Sequence, residues 1–497
     1  MFYAGKIKGK QTKKYKISYT SFASGMNTEV DDNLLPHKLG KLVYNYQIKN
    51  GALKTGLGFQ DLTLPNTLPN QADRVIEVYQ NKNVLTLWHF RYYDNQSNES
   101  RHKIVYTNAS GEVCYFDIFD YDPDSYKLQN VSFQAEPVAF NYRLNGEDCL
   151  IFCSASDPMT VFTQNFSTKT VTTAPKLVSV CVHYERLFAI TEGERNTLVF
   201  SANLDPTNWN YEVDEAGFIQ MLDERGRMCA VVSFNDYVYV FREYGVARLS
   251  AYGVQENFSV SQLFKSSVKI YGKTVVPCGD RIMFLAKDGL HYFTGASTTK
   301  LSLGIDSLFD GIDNDNATAV YHNGKYYLAC KLDFGDGETI GCETESYKNN
   351  ALIEFDIKTG DINIMRGVDV KMMVSVDEQN VSRLIACFNG TYANRIGELT
   401  HDGKIFGQAL KSAWISPNSN LGYPNRQKHI KEIFLKSKQP CKIDIKTDVE
   451  EKVYDVSGLE GTQRVRTNVR GEYVQIAFKS EGGAEISCPE LVLSVIS

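Results

Sequence analysis

The densest run of oxygen donors in this 497-residue chain is Asp310-Gly311-Ile312-Asp313-Asn314-Asp315-Asn316, whose carboxylates and amides are the ligand types of a calcium loop. The spacing departs from that chemistry. Counting from Asp313 places Ala317 at the third ligand position, with no glycine at the sixth place and no glutamate at the twelfth. Asp333-Phe334-Gly335 has the letters of a kinase metal-binding triplet, but no glycine-rich loop, strand lysine or His-Arg-Asp loop accompanies it. No Gly-x-Ser-x-Gly, His-Glu-x-x-His or Gly-x-x-x-x-Gly-Lys sequence occurs. The eight histidines are isolated, and His183 and His291 fall in strand patterns where a hydrogen-bonded structural role is expected. The sequence therefore assigns no catalytic residue, cofactor-binding residue or metal ligand, and the chain is expected not to be an enzyme.

Two other groups would act by contact. Asp205-Pro206 starts a turn, because the proline ring fixes its own φ and the aspartate carboxylate accepts a backbone N–H two residues on. The turn plants Trp209, one of three tryptophans, either as an aromatic platform for a ligand or as a lock of one structural repeat onto the next. The second group is the N-terminal arm with Lys6, Lys8, Lys10, Lys13, Lys14 and Lys16, which has no acidic residue before Glu29. It would contact a phosphate backbone, or remain solvated until it orders against a neighbouring subunit.

The elements that position these groups recur. An apolar strand, a tight polar turn, a strongly apolar second strand and a further turn and strand repeat between about residues 73 and 402. The second strands begin at Cys149, Leu187, Val238, Ile282 and Tyr326, at spacings of 38, 51, 44 and 44 residues. That period is the roughly 40 to 50 residues of a four-stranded propeller blade. Weaker copies at Val75 to Leu87 and Leu384 to Phe388 bring the count to six or seven. Asn145-Gly146 and Asn323-Gly324 are favoured hairpin turns. From Phe406 onward, short strands alternate apolar and polar residues, predicting a β-sandwich-like unit with one solvated face per sheet, on which Arg464, Arg466 and Arg470 are expected to be exposed. The chain is thus expected to be all-β: a strap over 1–72, a β-propeller of six or seven blades over 73–405 and a β-sandwich-like domain over 406–497.

Composition supports this division. Tyrosine and phenylalanine number 29 and 27, a β-rich bias. A formal charge of −6 argues against a surface that coats nucleic acid. Eleven cysteines without Cys-x-x-Cys pairs, among them Cys153, Cys181, Cys229 and Cys387 inside apolar runs, predict small core residues in a reducing compartment. No apolar run reaches the ~18 residues that span a bilayer, and no secretory h-region opens the sequence.

Three segments carry a resemblance. The first is Phe22-Ala23-Ser24-Gly25-Met26-Asn27, followed by Leu34-Leu35-Pro36, Asn45, Asn50-Gly51-Ala52-Leu53, Gly56 and Gly58; the second is Phe200-Ser201 to Asp205-Pro206-Thr207-Asn208-Trp209; the third is Lys287-Asp288-Gly289-Leu290-His291-Tyr292-Phe293. Together they resemble the β-propeller tail and neck proteins of tailed bacteriophages, a group that includes the P22-type packaged-DNA stabilisation (tail hub) proteins. The first is similar to the opening of such proteins, the second to their Ser-x-x-Gly-Asp-Pro-x-x-Trp signature, with Leu204 where glycine is usual, and the third to their Asp-Gly-Ile/Val-Tyr strand. The resemblance implies a virion structural protein of the neck or tail, assembled in the host cytoplasm. It would form a homo-oligomeric ring, sixfold in many such proteins, below the portal. Its partners would be portal-adaptor or tail proteins and the packaged DNA in the channel that the ring closes or extends. A receptor- or glycan-binding propeller at the tail tip is the second reading, and a glycan-active hydrolase with paired carboxylates in the central funnel is the third.

Overall fold

The computed structural model describes residues 14–18, 22, 25–64, 74–75, 78–118, 125–212, 215–301, 304–341, 343, 346–378 and 381–496. Six four-stranded antiparallel sheets follow one another along the chain, and a seventh sheet of six strands completes the ring. Blade one is Val84–Asp94, Glu99–Asn108, Glu112–Asp117 and Tyr126–Ser132; blade two is Val138–Leu144, Glu147–Cys153, Met159–Thr163 and Thr168–Val171. Blade three is Leu177–His183, Arg186–Thr191, Thr197–Phe200 and Gly217–Gln220; blade four is Met228–Phe234, Tyr237–Arg242, Gly245–Ser250 and Ser259–Lys265. Blade five is Val276–Cys278, Arg281–Ala286, Gly289–Phe293 and Thr298–Lys300; blade six is Thr318–His322, Lys325–Cys330, Ala351–Asp356 and Ile362–Arg366.

The second strands are buried at nearly every position, as Ile282 to Ala286 and Tyr326 to Cys330 are, because each lies between the neighbouring blades. Hairpins join first to second strands through left-handed residues at Asn145 (φ 51), Asn235 (φ 51) and Asn323 (φ 47), a conformation asparagine tolerates and larger side chains resist.

Blade seven closes the ring with strands from two parts of the chain. Val370–Glu378, Val381–Phe388 and Ile396–Thr400 supply three strands, and Gly58–Asp61 from the N-terminal segment supplies the fourth. Phe59 is buried edge-on against Phe388 at 5.1 Å. A Cβ on Gly58 would lie 2.4 Å from the Lys404 carbonyl oxygen, so the closing strand fits only without a side chain there.

The remaining strands make a two-sheet sandwich. One sheet orders Tyr46–Lys49, Ala52–Thr55, Ile486–Ile496, Gln427–Ser437 and Leu459–Gly471, with Lys14–Ser18 also paired to Ile486–Ile496. The other orders Leu42–Tyr44, Ser412–Ile415, Val474–Ser480, Cys441–Thr447 and Glu451–Val456. Between them Trp414, Phe22 and Phe478 pack with centroids 5.0 to 6.0 Å apart. The propeller is therefore inserted into the sandwich, which is a correction to the expected division. Residues 42–55 are sandwich strands and 58–61 belong to blade seven, so breaks at 72/73 and 405/406 do not separate the units. The strap shows little periodicity because its strands are only two to five residues long.

Candidate functional site

The Asp205 turn has the geometry its residue types require. Asp205 Oδ1 accepts the Thr207 N–H at 2.9 Å and the Thr207 hydroxyl at 2.6 Å. Trp209 donates its indole N–H to the Pro206 carbonyl at 3.1 Å and packs against the apolar cluster shared by blades two and three, beside Cys149, Val161 and Ala189. Leu204 occupies the left-handed region at φ 57, where the phage signature has glycine, and its side chain is 64% exposed. Its N–H donates to the Glu185 carbonyl at 2.9 Å, beside Tyr184, which is also left-handed at φ 50 and 49% exposed. Left-handed backbone costs such side chains on the order of 1–3 kcal/mol each, and neither recovers it by burial.

The lysine arm divides. Lys6, Lys8, Lys10 and Lys13 lie outside the described residues. Lys14 and Lys16 sit on Lys14–Ser18, opposite Ser494 and Val492, and Lys16 pairs with Glu490 at 2.8 Å. Lys14–Ser18 is thus an edge of the sandwich. Arg464, Arg466 and Arg470 lie on the exposed face expected of them, with Arg464 paired to Glu432.

At the end where the first strands begin, the central funnel encloses a cavity of about 710 Å3 that all seven blades line. Its carboxylates are compensated: Glu136 by Lys371 at 2.6 Å, Asp315 by Lys269 at 2.5 Å, and Glu192 by Arg195. Glu243 accepts the Arg227 N–H at 3.2 Å. The Lys269 ammonium also lies 3.8 Å from Asp313, so a fixed internal cation serves the calcium-like run Asp310 to Asn316.

Other polar groups singled out in the sequence hold elements together. His183 and His322, each the last residue of a first strand, share 2.8 Å hydrogen bonds with Ser233 and Ser375 on the next blade. Burial lowers the pKa of both rings. His291 bonds Asp288 at 2.9 Å and stacks on Phe284. Phe334 of the kinase-like triplet is a wall of the joint between sandwich and propeller. There the Arg366 guanidinium lies over Phe334 and Tyr44, at 4.2 and 5.0 Å from the ring centres, and pairs with Asp336 at 2.7 Å and Glu343 at 3.2 Å. Across the same joint Lys479 pairs with Glu338 at 2.7 Å and Asp444 at 2.9 Å. Burial pushes the Cys153, Cys229 and Cys387 thiols up to about 12, which keeps them protonated core residues.

Asn45 is the centre of that joint, a role its sequence context did not announce. It is left-handed at φ 57 and 2% exposed. Its amide donates to the Arg366 carbonyl at 3.1 Å and the Lys411 carbonyl at 2.7 Å, and its Oδ1 accepts the Arg366 N–H at 2.7 Å. A Cβ on Gly56 would stand 2.4 Å from the Asn45 carbonyl oxygen, so the two motif positions constrain each other.

No protein-family model matches the chain, and no curated protein matches it in sequence. Among solved structures it is similar to BBS1N in a complex with ARL6DN, at 9% identity and a TM-score of 0.40, over 69% of this chain and 97% of that one. It is also similar to the AfRom2 CNH domain, at 10% identity and a TM-score of 0.38, over 64% and 97%. Neither likeness bears on activity; the all-β propeller is established by the seven sheets themselves. Among the described residues, no helix is long and apolar enough to cross a membrane.

Proposed function

We propose that this chain is a non-enzymatic structural protein of a bacteriophage virion, one copy of a ring in the neck or tail below the portal that closes or extends the DNA channel. One observation carries the reading: residues of the phage-like opening motif form the joint on which the architecture depends. Phe22 fills the sandwich core, Asn45 ties the sandwich to blade six, and Gly56 and Gly58 admit the strand that closes blade seven. A resemblance confined to interchangeable loop letters would not be expected to fall on positions bound by such close contacts.

The partners in this reading are further copies of the chain, a portal adaptor or tail protein, and packaged DNA. Its test is the mass of the purified full-length protein, alone and mixed with the adaptor and portal of the same phage, together with particle images of any assembly. A closed ring that joins the portal assembly supports it. A monomer that ignores the portal and binds oligosaccharide overturns it in favour of a tail-tip receptor protein.

A further inference from the structure

Exposed apolar surface is concentrated on two blades. Nine of the seventeen large exposed apolar side chains among the described residues lie between Tyr184 and Val260, in blades three and four. In the same span acidic residues outnumber arginines two to one, and no lysine occurs between Lys176 and Lys265. At its centre a notch of about 400 Å3 opens on the face where the first strands end. Tyr184 and Tyr252 wall it, 49% and 74% exposed, with ring centres 5.6 Å apart and edge to face. Glu185 and Glu215 supply exposed carboxylates, and the only cation on its lining, Arg186, is buried and bonded to Glu215 at 2.9 Å. The left-handed backbone at Tyr184 and Leu204 keeps this rim's apolar side chains turned outward.

Aromatic faces beside carboxylates recognise a flexible alkyl chain ending in a cation: the methylenes lie on the rings and the ammonium meets both the ring quadrupole and the carboxylates. That is a lysine side chain. The arm carries Lys6, Lys8 and Lys10 at every second residue, the spacing that puts like side chains on one side of an extended segment, with Lys13 following and no acidic residue to offset them. Lys14, the first described residue after these lysines, lies on the sandwich, which docks on blade six through Asn45 and Arg366, while Thr28 of the N-terminal segment bonds the connection between blades five and six. Blade three lies three blades round the ring from blade six, and blade four lies two. The sandwich and the notch are thus separate surfaces of one molecule. Joining such surfaces between molecules makes a head-to-tail contact, the type that closes into a ring when it repeats about an axis.

We infer that the notch on blades three and four receives the segment carrying Lys6, Lys8, Lys10 and Lys13 from a second copy of this chain. The inference rests on the ring reading above, and names the surfaces that would join neighbouring copies. The test has two arms, both on the full-length protein. In the first, a synthetic peptide of residues 1–16 is titrated into full-length protein carrying Lys6→Glu, Lys8→Glu and Lys10→Glu, whose own segment then does not compete. Saturable binding should weaken about tenfold or more with Glu185→Lys or Tyr252→Ala, exposed positions whose change leaves the blade cores intact, and should weaken with added salt. In the second, the assembly state of the intact chain is followed against concentration. Lys6→Glu, Lys8→Glu and Lys10→Glu together should disperse the rings, and adding Glu185→Lys should restore them in part. Peptide that does not bind, or binds both variants as well as the parent, overturns the inference. So does an arm variant that assembles normally and loses only double-stranded DNA binding. An intact chain that is monomeric at every concentration removes the ring reading, and the peptide titration then decides the notch separately.

Discussion

Replacing Asn45 with alanine tests the joint most directly. The change leaves the Arg366 N–H without its acceptor in a site only 2% exposed, and deprives the Arg366 and Lys411 carbonyls of a donor. A buried unsatisfied donor costs about 1–3 kcal/mol, and the two weakened acceptors add roughly 1–2 kcal/mol together. Alanine at φ 57 adds about 1 kcal/mol that asparagine partly avoids, so the total loss is expected near 3–6 kcal/mol. Asn45→Gly loses the same hydrogen bonds but not the backbone term. It should be about 0.5–1 kcal/mol milder, since glycine's entropy in the unfolded chain takes back part of the relief. The assay is denaturant unfolding followed by tryptophan fluorescence. Trp414 lies in the sandwich core while Trp88 and Trp209 belong to blades one and three, so a Trp88→Phe, Trp209→Phe background leaves one reporter beside the joint. An Asn45→Ala protein within about 0.5 kcal/mol of its parent would refute the accounting. A glycine variant worse than the alanine variant would refute the backbone part alone.

Other perturbations have equally definite outcomes. Phe59→Ala removes the buried ring that holds the closing strand to Phe388, and should cost about 3–5 kcal/mol and raise hydrogen exchange in Ile396–Thr400 before other blades. Asp205→Ala loses both bonds to Thr207 and should lower stability by about 1–2 kcal/mol in a thermal scan, whereas Leu204→Gly should stay within about 1 kcal/mol of the parent because glycine's greater freedom in the unfolded chain offsets the strain relief. Burial works against the Glu354 carboxylate, but hydrogen bonds from His401, Lys325 and Tyr327 outweigh it and hold its pKa at about 2; hydrogen bonds from Lys127, Lys82 and Asn108 hold Glu112 at about 2. Both folded-state values lie below the unfolded one, so their stabilisation is complete above about pH 4.5 and is lost as pH falls towards 2. Stability measured across that window should fall less steeply in Glu112→Gln and Glu354→Gln, each of which should also be less stable at neutral pH.

The propeller was legible in the sequence because its second strands, buried on both faces, are apolar at almost every position and recur every 38 to 51 residues. The Asp205 turn was legible because aspartate and proline each prescribe their own backbone. The inserted topology was not. Leu42–Tyr44 pairs with Ser412–Ile415 and Gly58–Asp61 with Ile396–Thr400, and strands of three or four residues contain no information about partners hundreds of residues away. Glu451–Val456 is hard to read for a related reason: as an edge strand it exposes Val453, so its side chains do not sort cleanly by polarity. The rim of blades three and four was hidden by its own composition, since tyrosines and leucines in a strand-rich stretch resemble core until the fold turns them outward.

Insertion of one unit within the other also sets an order of events during synthesis. Leu42–Tyr44 and Gly58–Asp61 emerge early but find their partners only after Ile396 and Ser412 have left the ribosome, a wait of roughly tens of seconds at ordinary elongation rates. Six blades can condense in the meantime, while the early strands keep open edges that any matching segment could cover. A neighbouring nascent chain offers such a segment at every site. The topology that gives the finished molecule its single joint therefore leaves its biogenesis open to strand exchange between copies, and crowding of ribosomes on one messenger would decide how often it occurs.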